Sequence, residues 1–275
     1  SRGYGRAIVE RVPYVVDQAV AAMAGLKSLI LCGTHKPVTF FAYPNKPQSP
    51  IPHDAAIHVM ARPEQDIIEA LTRLADLLHA PKIAVPHHGE KPAQGRGALT
   101  SASVAATVAR LMPEGTIISD ESVSFGRDFF ASSQASEAHE WLSVTGGSIG
   151  QGIPVATGAA IGAPGQRVIN LQADGSAMYT VQGLWTQARE KLDVTTVILS
   201  NRKYQILIGE LANVGANPGR TAMDLFDLGN PDLNWPQMAG AMGVEGASTD
   251  TVEGFADLLA HSVKRRGPFL IELLI

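Results

Sequence analysis

The chain has 275 residues, 45% hydrophobic and 17% charged, with 22 Lys and Arg against 26 Asp and Glu and a formal net charge of −4. That balance excludes disorder, collagen and coiled coil. The sequence shows no apolar run near the ~18 residues of a membrane-spanning helix and no basic stripe with interleaved aromatics, so neither a membrane nor a nucleic acid is expected as a partner. The single cysteine, Cys32, excludes an internal disulfide and a multi-thiolate zinc site. In the apolar run SLILCG it reads as a small core side chain, and a reducing, cytoplasmic setting fits.

The opening Ser1-Arg2-Gly3-Tyr4-Gly5-Arg6 has no initiator Met and no apolar signal core. Apolar spacing predicts a helix over 13–26, a buried strand over 28–32, a second over 38–43, a loop over 44–52 and a third strand over 55–60. A helix follows over 64–78, with Ile67, Ile68, Leu71, Leu74, Leu77 and Leu78 on one face. Three short strands and two helices make a thin layer, so residues 1–80 read as the later half of a partial, Rossmann-like central domain. Residues 81–97 carry Pro81, Pro86, Pro92, Gly89, Gly95 and Gly97 with no helical or strand period, and read as a linker. Its adjacent His87 and His88 point apart in extended chain and lack a third ligand, so a solvated loop is favoured over a metal site.

From residue 98 onward the order is helix (100–111), strand (116–119), Gly-rich turn and helix (146–162), strand (168–172), helix (181–191) and strand (194–200). A helix is also expected over 252–264. Such alternation predicts an α/β fold, a doubly wound parallel sheet, over 98–275. Ligands in these sheets sit outside the carboxyl ends of the strands, where this sequence places Asp120-Glu121-Ser122, Ala173-Asp174-Gly175-Ser176 and Asn201. A carboxylate and an amide oxygen at neighbouring strand ends suit Mg²⁺ or Ca²⁺ held jointly with phosphates, although Asp-Gly is also a common turn dipeptide. Gly175 lets backbone N–H groups approach an anion, and Ser176 can bond a phosphate oxygen.

Asp174-Gly175-Ser176, 24 residues and then Asn201 resemble the signature of thiamin diphosphate (ThDP) enzymes, which a Gly-Asp-Gly opens and an Asn closes. The stretches 146–154, 174–185, 201–215 and 230–235 look like the diphosphate-binding domain of acetolactate synthases and benzoylformate decarboxylases. Residues 33–47 more weakly resemble the later part of their central domain. Ala173 replaces the usual first Gly, and Ser200 a frequent Asn. The resemblance implies that Asp174, Asn201 and the Lys203 backbone carbonyl ligate Mg²⁺. Gly175 and Ser176 would hold the diphosphate, aided by a helix N-terminus near Ser176, with Ser122, Ser124 and Tyr204 as further cofactor contacts. Gly147 would offer its carbonyl to the aminopyrimidine, and Ile149 would wedge the cofactor rings into a bent form. Leu207 would be a hydrophobic wall of the substrate pocket or an ordinary core residue.

The implied reaction is decarboxylation of a 2-oxo acid with transfer of the acyl carbanion equivalent to a second carbonyl. The resemblance also implies a pyrimidine-binding domain on a neighbouring subunit, supplying an activating glutamate, in a homodimer or homotetramer. This chain is accordingly expected to be inactive alone, as a fragment or as a subunit needing a partner. Benzoylformate decarboxylases carry an active-site His where an approximate alignment gives Ala42, and the run NPDLNW is more like acetolactate synthases. Relatives differ in binding FAD, and no residue here decides between them. Two other classes compete. Gly146-Gly147-Ser148-Ile149-Gly150 matches a nucleophile elbow, with Asp224 or Asp227 and then His261 in hydrolase order, although His261 falls in a helical pattern. A non-catalytic cofactor-binding module is the other. A nicotinamide fingerprint fails for want of the third glycine after Gly150-Gln151-Gly152.

Overall fold

The computed structural model describes residues 1–81 and 89–275, so His87 and His88 lie outside the described residues. The chain divides into two compact units, residues 9–84 and residues 1–8 with 85–275.

The smaller unit contains α1 (Val16–Met23), β1 (Ser28–Cys32), β2 (Ala56–Ala61) and α2 (Ile67–Leu77). The strands pair in parallel, with Ser28 opposite Ala56 and Leu31 opposite Val59. Asp66 caps α2 by accepting the Glu69 N–H at 2.9 Å. The strand expected over 38–43 does not form. Pro37, Pro44, Pro47, Pro50 and Pro52 remove donors along this stretch, and Thr39 N–H instead bonds Gln48 O at 2.8 Å across a loop. The apolar residues that suggested a strand stack on one another: Tyr14 on Phe40, Phe40 on Phe41 and Phe41 on Tyr43, with ring centroids 5.4, 4.9 and 6.0 Å apart. The α2 stripe is also split. Ile67, Ala70 and Leu74 are half-buried, whereas Ile68, Leu71, Leu77 and Leu78 are exposed.

The larger unit runs α3 (Ser101–Leu111), β3 (Ile117–Glu121), α4 (Phe129–Ser132), β4 (Glu140–Ser143), α5 (Gly152–Gly162), β5 (Val168–Ala173), α6 (Asp174–Ala177), α7 (Gly183–Arg189) and β6 (Val194–Ser200). It continues through α8 (Gln205–Asn213), α9 (Arg220–Leu225), α10 (Trp235–Ala241), β7 (Glu245–Thr249), α11 (Val252–Lys264) and β8 (Phe269–Leu274). Six strands form one sheet in the order β4-β3-β5-β6-β8-β7, and every neighbouring pair is parallel. Parallel strands are covered on both faces, which is why VTTVILS is buried at every position.

Alternate strand residues serve opposite layers. Ile118, Ile169, Val197 and Ile271 pack with Val104 and Val108 of α3 and Phe255 and Leu259 of α11. On the other face Ile198 and Leu270 meet Ile153 of α5, Leu184 of α7 and Trp235 of α10. Thr100 and Ser103 close a capping box on α3, and Asn234 and Thr251 cap α10 and α11. In the Gly-rich turn and helix expected over 146–162, the helix begins at Gly152. Gly146, Gly147 and Gly150 have φ of 61°, 64° and 92°, so the preceding residues form a left-handed turn that a right-handed helix cannot include.

Candidate functional site

Because all strands of the sheet are parallel, their carboxyl ends lie along one edge, and the turns leaving β3, β5 and β6 converge there. Between them is a shallow cleft lined by Val123, Ser124, Ile149, Ala173, Asp174, Gly175, Ser176, Asn201, Lys203, Tyr204, Gln205 and Ile206. Its enclosed volume is about 30 Å³. Complete small-molecule sites hold roughly 300–1,000 Å³, so this cleft by itself is too small to enclose a whole small-molecule ligand.

Asp174 directly follows β5 and is only 2% exposed. Its Oδ1 accepts the Gly175 N–H at 2.8 Å, and its Oδ2 accepts the Arg202 N–H at 2.6 Å. Burial outweighs these bonds and pushes its pKa up to about 6 from the ordinary 3.8. A carboxylate held in this state is relieved by a cation. Asn201, at the end of β6, turns its Oδ1 back onto the Lys203 N–H at 2.9 Å. The 202–204 turn is itself braced, with Tyr204 N–H on Phe226 O at 2.9 Å and Leu228 N–H on Arg202 O at 2.8 Å. Neither of those two bonds engages the Lys203 carbonyl. Among the described residues no group of three His, Cys, Asp or Glu side chains could hold a metal. A cation at this edge would have one carboxylate, an amide oxygen and a backbone carbonyl to rest on, a donor set that fits Mg²⁺ sharing phosphate oxygens.

The structure also places the remaining sequence-predicted residues. Ser176 lines the cleft but is committed internally: its hydroxyl donates to Ala173 O at 3.1 Å and accepts from Gln172 Nε2 at 2.9 Å. Ser124 lines the cleft, whereas Ser122 does not; the Ser122 hydroxyl donates to Asp120 Oδ1 at 2.5 Å. Tyr204 covers Gly175 closely, since a Cβ there would stand 2.6 Å from the Tyr204 ring. Burial raises the Tyr204 phenol pKa, with smaller contributions from Tyr179 and Asp174. Ile149 lines the cleft and is 37% exposed. Gly147 stands beside the lining, its carbonyl taking the Ile149 N–H at 2.9 Å. Leu207 is exposed at the start of α8 and is not part of the lining, where Ile206 stands instead. Val123, which the sequence did not single out, has φ 50°, a strained conformation for a β-branched residue at the cleft.

The hydrolase arrangement is not assembled. Ser148 follows the carboxyl end of β4, whereas the His261 ring packs 5.5 Å from Phe269, the first residue of β8, at the opposite edge of the parallel sheet. Asp227 accepts the Gly229 N–H at 2.8 Å.

Residues 125–273, more than half of the chain, match the family described as thiamine pyrophosphate enzyme, C-terminal TPP binding domain. The chain belongs to the thiamine pyrophosphate enzymes. It is 44% identical over 276 aligned residues to a Mycobacterium tuberculosis protein named "Putative acetolactate synthase large subunit IlvX", covering 100% of this chain and 53% of that protein. It is 29% identical over 181 residues to benzoylformate decarboxylase of Pseudomonas aeruginosa, covering 66% of this chain and 33% of that enzyme. Among solved structures, the thiamine diphosphate-dependent 4-hydroxybenzoylformate decarboxylase of Rhodococcus jostii RHA1 superposes with a TM-score of 0.75 at 26% identity, over 96% of this chain and 51% of that one. The chain thus spans about half the length of the curated M. tuberculosis relative, and a third of the Pseudomonas one. Among the described residues no helix is long and apolar enough to cross a membrane.

Proposed function

We propose that this chain supplies the diphosphate- and metal-binding wall of a ThDP- and Mg²⁺-dependent site, in an enzyme that decarboxylates a 2-oxo acid and joins the acyl remainder to a second carbonyl. The observation that carries the reading is Asp174, a buried carboxylate with its pKa raised to about 6, at the carboxyl edge beside Asn201. Asp174, Asn201 and the Lys203 carbonyl hold Mg²⁺. The Gly175 and Ser176 backbone and Ser124 receive the diphosphate, and Tyr204 closes over Gly175. Ser122, with its hydroxyl committed to Asp120, acts by shaping the β3 turn. The Gly147 carbonyl orients the aminopyrimidine, and Ile149 is the apolar support beneath the cofactor rings. When bound, ThDP supplies the carbon nucleophile and the electron sink for decarboxylation. The chain's own contribution is to neutralise the diphosphate, fix orientation and line the reacting edge with Val123, Ile149 and Ile206, which keep water away; Leu207 extends that apolar border.

In this reading residues 1–80 are the later half of a central domain, 81–97 a linker and 98–275 the diphosphate domain. A pyrimidine-binding domain of a neighbouring subunit completes the site within a homodimer or homotetramer, in the cytoplasm. A decarboxylase without carboligation is the second reading, supported by the likeness to the R. jostii enzyme; Ala42, where the resemblance expects a His in such enzymes, weighs against it.

Calorimetric titration of ThDP with Mg²⁺ and then with EDTA tests the assignment. Binding should be saturable and metal-dependent, and Asp174→Ala should weaken it more than tenfold, at least ~1.4 kcal/mol. Metal-dependent binding that persists unchanged in Asp174→Ala would overturn it.

A further inference from the structure

Glu121 is the last residue of β3, 1% exposed, and has no part in the metal or diphosphate contacts proposed above. Its two carboxylate oxygens are aimed at backbone. Oε1 accepts the Gly150 N–H at 2.5 Å and Oε2 accepts the Gly152 N–H at 2.5 Å, so one side chain grips the Gly-rich turn on both sides of Gln151. Oε2 also accepts Gln172 Nε2 at 3.0 Å, and the same Nε2 donates to Ser176 Oγ at 2.9 Å. The approach tolerates no side chain on the turn: a Cβ on Gly152 would fall 2.7 Å from Glu121 Oε2 and 2.1 Å from Gln172 Oε1. The turn is tied a second time by Thr180, whose hydroxyl donates to Gly150 O at 2.6 Å.

We infer that Glu121 is a positioning residue that sets the turn bearing Gly147 and Ile149 at a fixed distance from the turn bearing Asp174 and Ser176, with Gln172 as the link. The inference rests on the proposed ThDP site. The two turns leave strands β4 and β5, which are not neighbours in the sheet, because β3 stands between them. No strand pairing therefore fixes their separation directly. A carboxylate at the end of the intervening strand does, because it accepts from both sides and a buried charged acceptor makes strong, short bonds to N–H groups. A ligand contacting both turns then meets a preformed spacing, which lowers the ordering cost of binding.

Glu121→Gln keeps the shape and replaces one acceptor oxygen with a donor facing the bonds at Oε2. Gln172→Met keeps the volume and removes the side-chain bonds to Glu121, Ser176 and Asn170, while the Glu121 bonds to Gly150 and Gly152 stay in place. Amide exchange by mass spectrometry on the full chain without cofactor should show, for Glu121→Gln, at least tenfold faster exchange at Gly150 and Gly152 and also across 174–180, while β5 and β6 keep their protection. Gln172→Met should accelerate 174–180 and leave Gly150 and Gly152 protected. A change confined to 150–152 in Glu121→Gln, or no change at all, overturns the inference.

A second readout separates positioning from general loosening. Mg²⁺ with inorganic diphosphate occupies only the Asp174 turn, whereas Mg²⁺ with ThDP needs both. Glu121→Gln should weaken ThDP more than tenfold and inorganic diphosphate less than threefold; equal losses would mean a merely structural role. Absence of Mg²⁺-ThDP binding by wild-type protein that includes the pyrimidine-binding domain would strike the proposed cofactor site, and the exchange pattern alone would then decide the role of Glu121.

Discussion

Asp174→Asn separates the cost of holding a buried carboxylate from its use. In the metal-free chain Asp174 titrates near 6, against an ordinary value of 3.8. Between those values the folded state binds more protons than the unfolded one, so stability falls as pH rises through the interval and levels off above 6. The full difference of about two pKa units corresponds to about 3 kcal/mol, of which about 1.4 kcal/mol falls between pH 5 and pH 8. Asn has nothing to titrate. It keeps the bond from Gly175 N–H but turns an amide N–H toward the Arg202 N–H, a pH-independent loss of roughly 1–3 kcal/mol at a contact of 2.6 Å in the wild type. The variant should therefore gain about 1.4 kcal/mol on the wild type between pH 5 and pH 8, and at pH 8 in EDTA equal or exceed it by up to ~2 kcal/mol. Urea unfolding of both proteins at the two pH values, in EDTA, measures this directly. A stability difference that does not change with pH would refute the argument that burial of this charge is uncompensated. Saturating Mg²⁺ and ThDP should then reverse the order, because only the carboxylate gains a cation.

Gly175→Ala puts a methyl against the Tyr204 ring, where the closest approach is 2.6 Å; a loss of roughly 1–3 kcal/mol in thermal unfolding is expected, recovered in part by Tyr204→Ala. Ile149→Ala should change stability by less than ~1 kcal/mol because the side chain is not in a core, yet weaken Mg²⁺-dependent ThDP binding; unaltered affinity in titration removes the support role. Trp235, 0% exposed between α10 and the sheet, should cost about 3–5 kcal/mol when replaced by Ala, and a smaller loss by urea unfolding would show that the α10 layer is loosely packed. A fluorophosphonate probe should fail to label Ser148, and labelling that Ser148→Ala abolishes would restore the hydrolase reading.

The sequence by itself determined the parallel α/β class, because strands covered on both faces are mainly apolar and alternate with helical segments, and VINLQ and TTVILS, although each carries polar residues, read that way without reference to any partner. The cofactor family was legible only through resemblance, since Asp174-Gly175-Ser176, 24 residues and Asn201 are similar to the thiamin diphosphate signature; local pattern by itself placed a carboxylate and an amide at neighbouring strand ends. It did not reveal that 38–43 lacks a strand, because aromatic residues satisfy a strand pattern and a stacked loop equally well, and the prolines around them settle the matter only through the bonds they cannot make. Nor could it fix where the Gly-rich turn over 146–162 gives way to α5, since glycine permits both the helix and the left-handed turn. Tertiary structure alone decided that the Ser176 and Ser122 hydroxyls are already committed and that Ile206 lines the cleft in place of Leu207. Glu121 was visible in the sequence as one polar residue among three at a strand end. Its grip on Gly150, Gly152 and Gln172 exists only because β3 is inserted between β4 and β5, and strand order is a property of the folded sheet that no single segment encodes.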